Sequence, residues 1–227
     1  MFRDRTEAGE ALAEALMGLD LPDPVVLALP RGGLPVAAPV AARLDAPLDL
    51  LLVRKIGVPR HEELAVGAVV DGPAHAAVFN AGVLSMLGLR EADFADTVVA
   101  KLAEIETRRS RYLGDAAPVP VEGRTAIVVD DGIATGATVK AALIGLRHRA
   151  PRQVVLAVPV APADSLADLE PLVTRIVCLE VPLPFLAVGA HYRDFSQVED
   201  AEVIAIVREA RNRFQSGNGD LGRTPGS

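Results

Sequence analysis

Tryptophan is missing from this 227-residue chain, there is one cysteine, and Phe, Tyr and Trp together make up 4% of residues. Each shortage excludes something. A lone thiol, Cys178, rules out an internal disulfide and any cysteine-built zinc cluster, and its apolar setting (IVCLEV) predicts a buried structural thiol. With few aromatics, a core drawn from a chain that is 50% hydrophobic must be mainly aliphatic. Positive charge is also short. At a net -7 the surface lacks the basic excess that general nucleic-acid or anionic-membrane binding requires. No apolar run approaches the roughly 18 residues of a membrane span, and the charged start MFRDRTE has no signal-peptide core. The expectation is a cytoplasmic protein acting on small molecules, with no nucleic acid and no membrane as partner.

Five short runs read as strands, at 25–29, 48–53, 126–129, 154–158 and 175–179, with 25–29 apolar enough to be buried on both faces and 48–53 a second buried strand. Helical periodicity appears at 5–19, 34–44, 91–113, about 136–149, 164–169 and 199–214. On the helix over 91–113, Phe94, Val98, Leu102, Ile105 and Tyr112 form the apolar face. Lys101, Arg108, Arg109 and Arg111 are expected to face solvent. Runs at 67–71 and 76–80 predict a hairpin across Gly72-Pro73. The order β-α-β-insert-β-α-β-α-β predicts an α/β fold: a doubly wound, mainly parallel five-stranded sheet flanked by helices. One domain over 1–214 is expected, with an insert at about 58–123, a C-terminal hood at about 181–195, and a disordered tail over 215–227.

The most informative stretch is IVVDDGIATGATV, residues 127–139. A β-branched run delivers Asp130 and Asp131 to the carboxyl edge of the sheet, where such folds bind ligands. The small residues Gly132, Ile133, Ala134, Thr135, Gly136, Ala137 and Thr138 then lead into a helix, so converging backbone N–H groups can hold a phosphate. Like charge keeps the two acids off that phosphate. They suit sugar hydroxyls or an oxygen-seeking divalent metal, and a phosphorylated sugar satisfies both halves. An Asp N-cap would explain one acid, not two. Neither GxxxxGK[ST] nor a GxGxxG after the first strand is present, which weakens kinase-like and dinucleotide readings.

This loop resembles the phosphoribosyl pyrophosphate (PRPP) signature of type I phosphoribosyltransferases. Pro30-Arg31-Gly32-Gly33 is similar to the family's pyrophosphate loop after the first strand. Arg54-Lys55-Ile56-Gly57 is similar to the RK-x-G run after the second strand in adenine phosphoribosyltransferases. The resemblance implies Mg²⁺-dependent transfer of the 5-phosphoribosyl group from PRPP to a nitrogenous base, releasing pyrophosphate, within nucleotide metabolism. It implies that Asp130 and Asp131 hold the ribose hydroxyls and the metal. It places Gly132 to Thr138 on the 5′-phosphate, and Arg31, Gly32, Gly33, Arg54 and Lys55 on pyrophosphate. A lid is implied at 59–63, where His61 carries no assigned role. In the hood, Phe185 before Val188-Gly189 resembles the base-stacking Phe of hypoxanthine-type enzymes, with Tyr192, Asp194 and Phe195 nearby; His191 has no counterpart.

Ala134 stands where 6-oxopurine enzymes carry an acid, so the acceptor base stays open. The whole pattern is most similar to a poorly characterised branch of the family, and a homodimer is allowed. A non-catalytic PRPP or nucleotide sensor on the same fold is the alternative. Retention of Arg54 and Lys55 favours the enzyme.

Overall fold

The computed structural model describes residues 1–58, 61–71 and 76–220. Helix α1 (Arg5–Met17) leads into β1 (Pro24–Ala28), α2 (Gly33–Arg43) and β2 (Leu48–Leu50). An insert follows, with β3 (Val53–Val58), β4 (His61–Val70), β5 (Ala76–Phe79), α3 (Ala81–Leu87), a 3₁₀ turn and α4 (Ala95–Leu113). The chain then returns through β6 (Thr125–Val129), α5 (Ala137–Arg147), β7 (Gln153–Val160), α6 (Ala163–Leu169) and β8 (Arg175–Glu180) to α7 (Asp200–Asp220).

Five strands form one sheet in the order β2-β1-β6-β7-β8, with every neighbouring pair parallel. All five residues of β6 are buried, as are the last seven of β7, because helices cover both faces. The five-stranded expectation therefore holds, and the α/β class with it. Two hydrophobic clusters fill the two sides: Leu12, Leu34, Val36 and Ile127 on one, Leu27, Val128, Leu143 and Leu156 on the other. No described helix is long and apolar enough to cross a membrane.

The insert departs from expectation at its start. The run at 48–53 reads as one strand, yet only Leu48–Leu50 belongs to the parallel sheet. Leu51 still donates its N–H to Ala28 O at 2.9 Å, after which the chain turns into β3 of a separate antiparallel sheet, β3-β4-β5. The apolar stretch Leu50–Val53 cannot reveal such a change of sheet, because Leu51 and Leu52 are buried on either side of it. Arg54 and Lys55 thus lie within a strand, not on a turn after one. The predicted hairpin is present: Gly67–Val70 of β4 pairs with Ala76–Phe79 of β5. Of the expected lid, 59–60 lies outside the described residues, and His61, Glu62 and Glu63 begin β4. The final helix runs to Asp220, past the 214 boundary expected, and 221–227 lies outside the described residues.

A second correction concerns α4. Its basic face is not wholly solvated. Arg109 is 13% exposed and bridges two buried acids, Asp49 at 2.9 Å and Asp71 at 2.5 Å. Asp49 also accepts the Val119 N–H at 2.8 Å. This network fastens the end of β4 and helix α4 to the parallel sheet.

Candidate active site

Asp130 and Asp131 follow β6 directly, so the central strand of the sheet fixes their backbone. The loop after β1 is pressed against them. Leu29 N–H bonds Val129 O at 2.9 Å, and Gly33 N–H bonds Leu29 O at 3.0 Å. A Cβ on Gly32 would overlap Asp131 Oδ2, and one on Gly33 would sit 2.7 Å from Val129 O and 2.9 Å from Asp130 Cα. The two loops meet because both residues are glycine. The Pro30–Arg31 peptide in this loop is cis.

A cleft of about 180 Å³ opens between these loops, and Arg31, Gly32, Leu52, Arg54, Asp130 and Thr138 line it. The structure thus gathers one acid, two cations and one hydroxyl from three separated stretches. Arg31 Nη1 lies 3.6 Å from Asp200 and 3.9 Å from Glu199, both at the start of α7. Arg54 Nε lies 3.4 Å from Glu104 of α4. Burial, followed by the neighbouring Arg108 charge, draws the Arg54 guanidinium below its usual range. An arriving anion would relieve that repulsion. Lys55, next along β3, is exposed and does not line the cleft.

The candidate phosphate loop is only partly free. Ile133 is buried, and its N–H is already bonded to Val160 O at 2.9 Å, so it contributes packing and no open amide. Gly136 takes a left-handed φ of 72° and starts α5. The first N–H groups of that helix have no intrahelical acceptor. Thr135, Ala137 and Thr138 are exposed around this end, and Ala134 O accepts the Ser165 hydroxyl at 2.6 Å. On the opposite side of the acid loop, Val188 is close-packed on Gly132, where a Cβ would sit 2.5 Å from its Cγ1. Phe185 stacks on His191 with ring centres 6.0 Å apart. Neither Phe185 nor Val188 lines the cleft among the described residues. His191 Nδ1 lies 2.9 Å from Glu180 Oε2.

Electrostatics separate the two acids. Burial, reinforced by the Asp131 charge, pushes the Asp130 carboxyl well above the usual range. Burial also raises Asp131, but Arg5 opposes the shift. Arg5 Nε donates to Asp131 Oδ2 at 2.8 Å, and both side chains are largely enclosed. The pair offers oxygen donors of the type Mg²⁺ accepts, which needs one or two carboxylates when substrate phosphates complete its shell. No third His, Cys, Asp or Glu joins them in a metal-holding group among the described residues. Asp130 is half-buried, accepts the Asp131 N–H at 2.9 Å and lines the cleft, where its carboxyl could meet a cation.

Arg5 carries no signal in the sequence beyond its place at the first turn of a helix. Its guanidinium also donates to Ser196 O at 2.8 Å and lies 3.9 Å over the Phe195 ring. Tyr192 completes the arrangement by donating its hydroxyl to Asp131 O at 2.6 Å. Burial and the nearby Asp131 charge raise the Tyr192 phenol above its ordinary value, so it stays a donor.

A model of the phosphoribosyl transferase domain matches residues 5–194, which takes in both acids, both glycine loops and the hood. The chain belongs to that family. Two Mycobacterium tuberculosis proteins provisionally named phosphoribosyl transferases, MT0597 and Rv0571c, are each 44% identical to it over 214 residues. Those residues make up 94% of this chain and 48% of each relative, so the chain spans about half the length of the curated relatives it matches. Among solved structures, TT1426 from Thermus thermophilus is 42% identical and superposes with a TM-score of 0.81. That match covers 92% of this chain and 98% of the other.

Proposed function

We propose that the chain transfers the 5-phosphoribosyl group of PRPP to a nitrogen of a base and releases pyrophosphate, with Mg²⁺ required. The observation that carries this reading is the cleft itself, where Asp130, Arg31, Arg54 and Thr138 converge around the amino end of α5. A sugar bearing phosphates at both ends needs an acid for its hydroxyls, amides for one phosphate and cations for the other. Asp130 would accept ribose hydroxyls from the cleft side, with Asp131 beside it. The amides at 134–138 and the Thr135 and Thr138 hydroxyls would take the 5′-phosphate. Arg31 and Arg54 would exchange their acidic partners on α7 and α4 for pyrophosphate oxygens. Mg²⁺, held by the acid pair, would supply charge neutralisation for the leaving group. The chain's contribution is positioning and preorganised charge, with no protein nucleophile required. Phe185 and Val188 are the residues proposed to meet the base.

Nucleobases incubated one at a time with PRPP and Mg²⁺, and assayed for pyrophosphate, test the reading. Release with at least one base, lost in Asp130→Asn, is expected. Binding of PRPP without release by any base would instead identify a sensor. That second reading draws on the acids that already neutralise Arg31 and Arg54.

A further inference from the structure

Residues at the extreme N-terminus are woven into the hood. Phe2 N–H bonds His191 O at 2.8 Å, Arg193 N–H bonds Phe2 O at 2.9 Å, and Asp194 N–H bonds Arg3 O at 2.9 Å. The Met1 amine reaches Glu180 at 2.8 Å, and the Phe2 ring packs against Tyr192 at 5.6 Å. This strap ends at Arg5, whose single guanidinium spans the acid pair and the hood: Asp131 Oδ2 through Nε, Ser196 O through Nη1, and the Phe195 face through its plane. Phe195 in turn packs on Tyr192 at 5.1 Å, and Tyr192 returns to Asp131 O. The contacts form a closed ring with Arg5 as the member common to both halves.

We propose that Arg5 is a positioning residue that couples occupancy of the acid pair to the hood. The inference rests on PRPP being the ligand of that pair. Asp131 has one carboxylate to share between Arg5 and an arriving hydroxyl or cation. A ligand on the acids therefore weakens the hold of Asp131 on Arg5 and leaves its guanidinium more strongly committed to Ser196 O and the Phe195 face. That change reaches Ser196 and Phe195 through a planar fork that cannot move at one end alone. Two sites linked in this way affect each other reciprocally. A base settling against the hood strengthens PRPP binding by the same factor by which PRPP strengthens binding of the base. The segment at 192–196 thus reads the donor site through Arg5.

Hydrogen exchange read by mass spectrometry, on peptides covering 130–138 and 192–196, tests this. The wild-type chain and Arg5→Gln are each compared with and without saturating PRPP and Mg²⁺. PRPP should slow exchange at both segments in the wild type, by at least about fivefold at 192–196, the lower end of ordinary coupling between sites. In Arg5→Gln, protection at 130–138 should persist while the response at 192–196 disappears. A hood response that survives in Arg5→Gln overturns the proposal. So does a wild-type chain protected at 130–138 alone, which leaves the PRPP reading standing. Absence of protection at both segments in the wild type removes the PRPP reading and the coupling together. Should Arg5→Gln fail to fold, Arg5→Lys takes its place. It keeps a cation beside Asp131 but loses the fork, and the response at 192–196 should vanish there too.

Discussion

Replacing Arg109 by Met would leave two carboxylates inside the protein without their shared cation. Asp49 is 1% exposed and Asp71 7%, while Arg109 sits 2.9 Å and 2.5 Å from them. Methionine fills much of the arginine stem's volume, so the change isolates charge more than packing. Removing one partner from a buried ion pair costs about 3–5 kcal/mol. Arg211, 3.7 Å from Asp49, partly compensates that acid and places the effect toward the lower end. At roughly 2–4 °C per kcal/mol for a chain of this size, the unfolding midpoint should fall by about 6–20 °C. The loss should also depend on pH. Burial already raises the Asp71 carboxyl, with Arg109 opposing that rise. Without Arg109 it rises further, so the folded chain binds a proton that the unfolded chain releases. Stability then falls as pH rises from the unfolded carboxylate range through the folded value. The deficit should therefore be smaller at pH 5 than at pH 7.5 in scanning calorimetry, and adding Asp49→Asn and Asp71→Asn should recover much of it. A drop below about 2 °C, or a deficit independent of pH, would refute the assignment of this network as buried and coupled.

Two further expectations follow from local geometry. Gly33→Ala should destabilise by about 1–3 kcal/mol, the ordinary cost of overpacking, although Ala is favoured over Gly in a helix by about 1 kcal/mol. The clash with Val129 O and Asp130 Cα outweighs propensity, whereas Gly18→Ala, with no atom within 4 Å of its added Cβ, should be near neutral. A calorimetric comparison of the two variants decides it. Cys178 should be slow to alkylate, since burial pushes its thiol up to about 11. Against a free cysteine near 8.5 its thiolate fraction at pH 7.5 is lower by roughly two to three orders of magnitude. The thiol is half-buried rather than fully enclosed as its apolar setting predicts, and modification by iodoacetamide at the rate of free cysteine would contradict even that partial burial.

The parallel sheet and the acid loop were legible because their physics is local to the sequence. Short, largely apolar runs read as strands of a covered sheet, and two adjacent carboxylates at the end of the central one leave few uses. What escaped depended on long-range partners. The run at 48–53 carries no mark at the point where it leaves one sheet for another, so Arg54 was expected on a turn. The α4 face bearing Arg109 has the composition of a solvated stripe. Only the approach of Asp49 and Asp71, 60 and 38 residues away in sequence, makes it interior. Ile133 looks like any other small-loop residue until Val160 claims its N–H. Arg5 is 126 residues from Asp131, and no periodicity links them.

The position of Arg5 bears on why the site has two acids in succession. Asp130 and Asp131 follow the end of β6 in the loop and do not face the cleft as equals. Asp130 lines the cleft, and Asp131 turns toward Arg5 beneath the hood. Each then meets a different requirement. An acid facing the cleft must remain unpaired enough to receive hydroxyls or a cation, and without a cationic partner its burial raises the carboxyl. The acid behind it must be neutralised by the protein itself, because two adjacent uncompensated anions would repel each other. Arg5 does that and fastens the N-terminal strap with the same side chain. Exchanging the two roles would require Arg5 to enter the cleft, where it would compete with Arg31 and Arg54 for the same anion. The order of the pair, cleft acid first and tethered acid second, thus follows from where Arg5 and the hood meet the loop after β6.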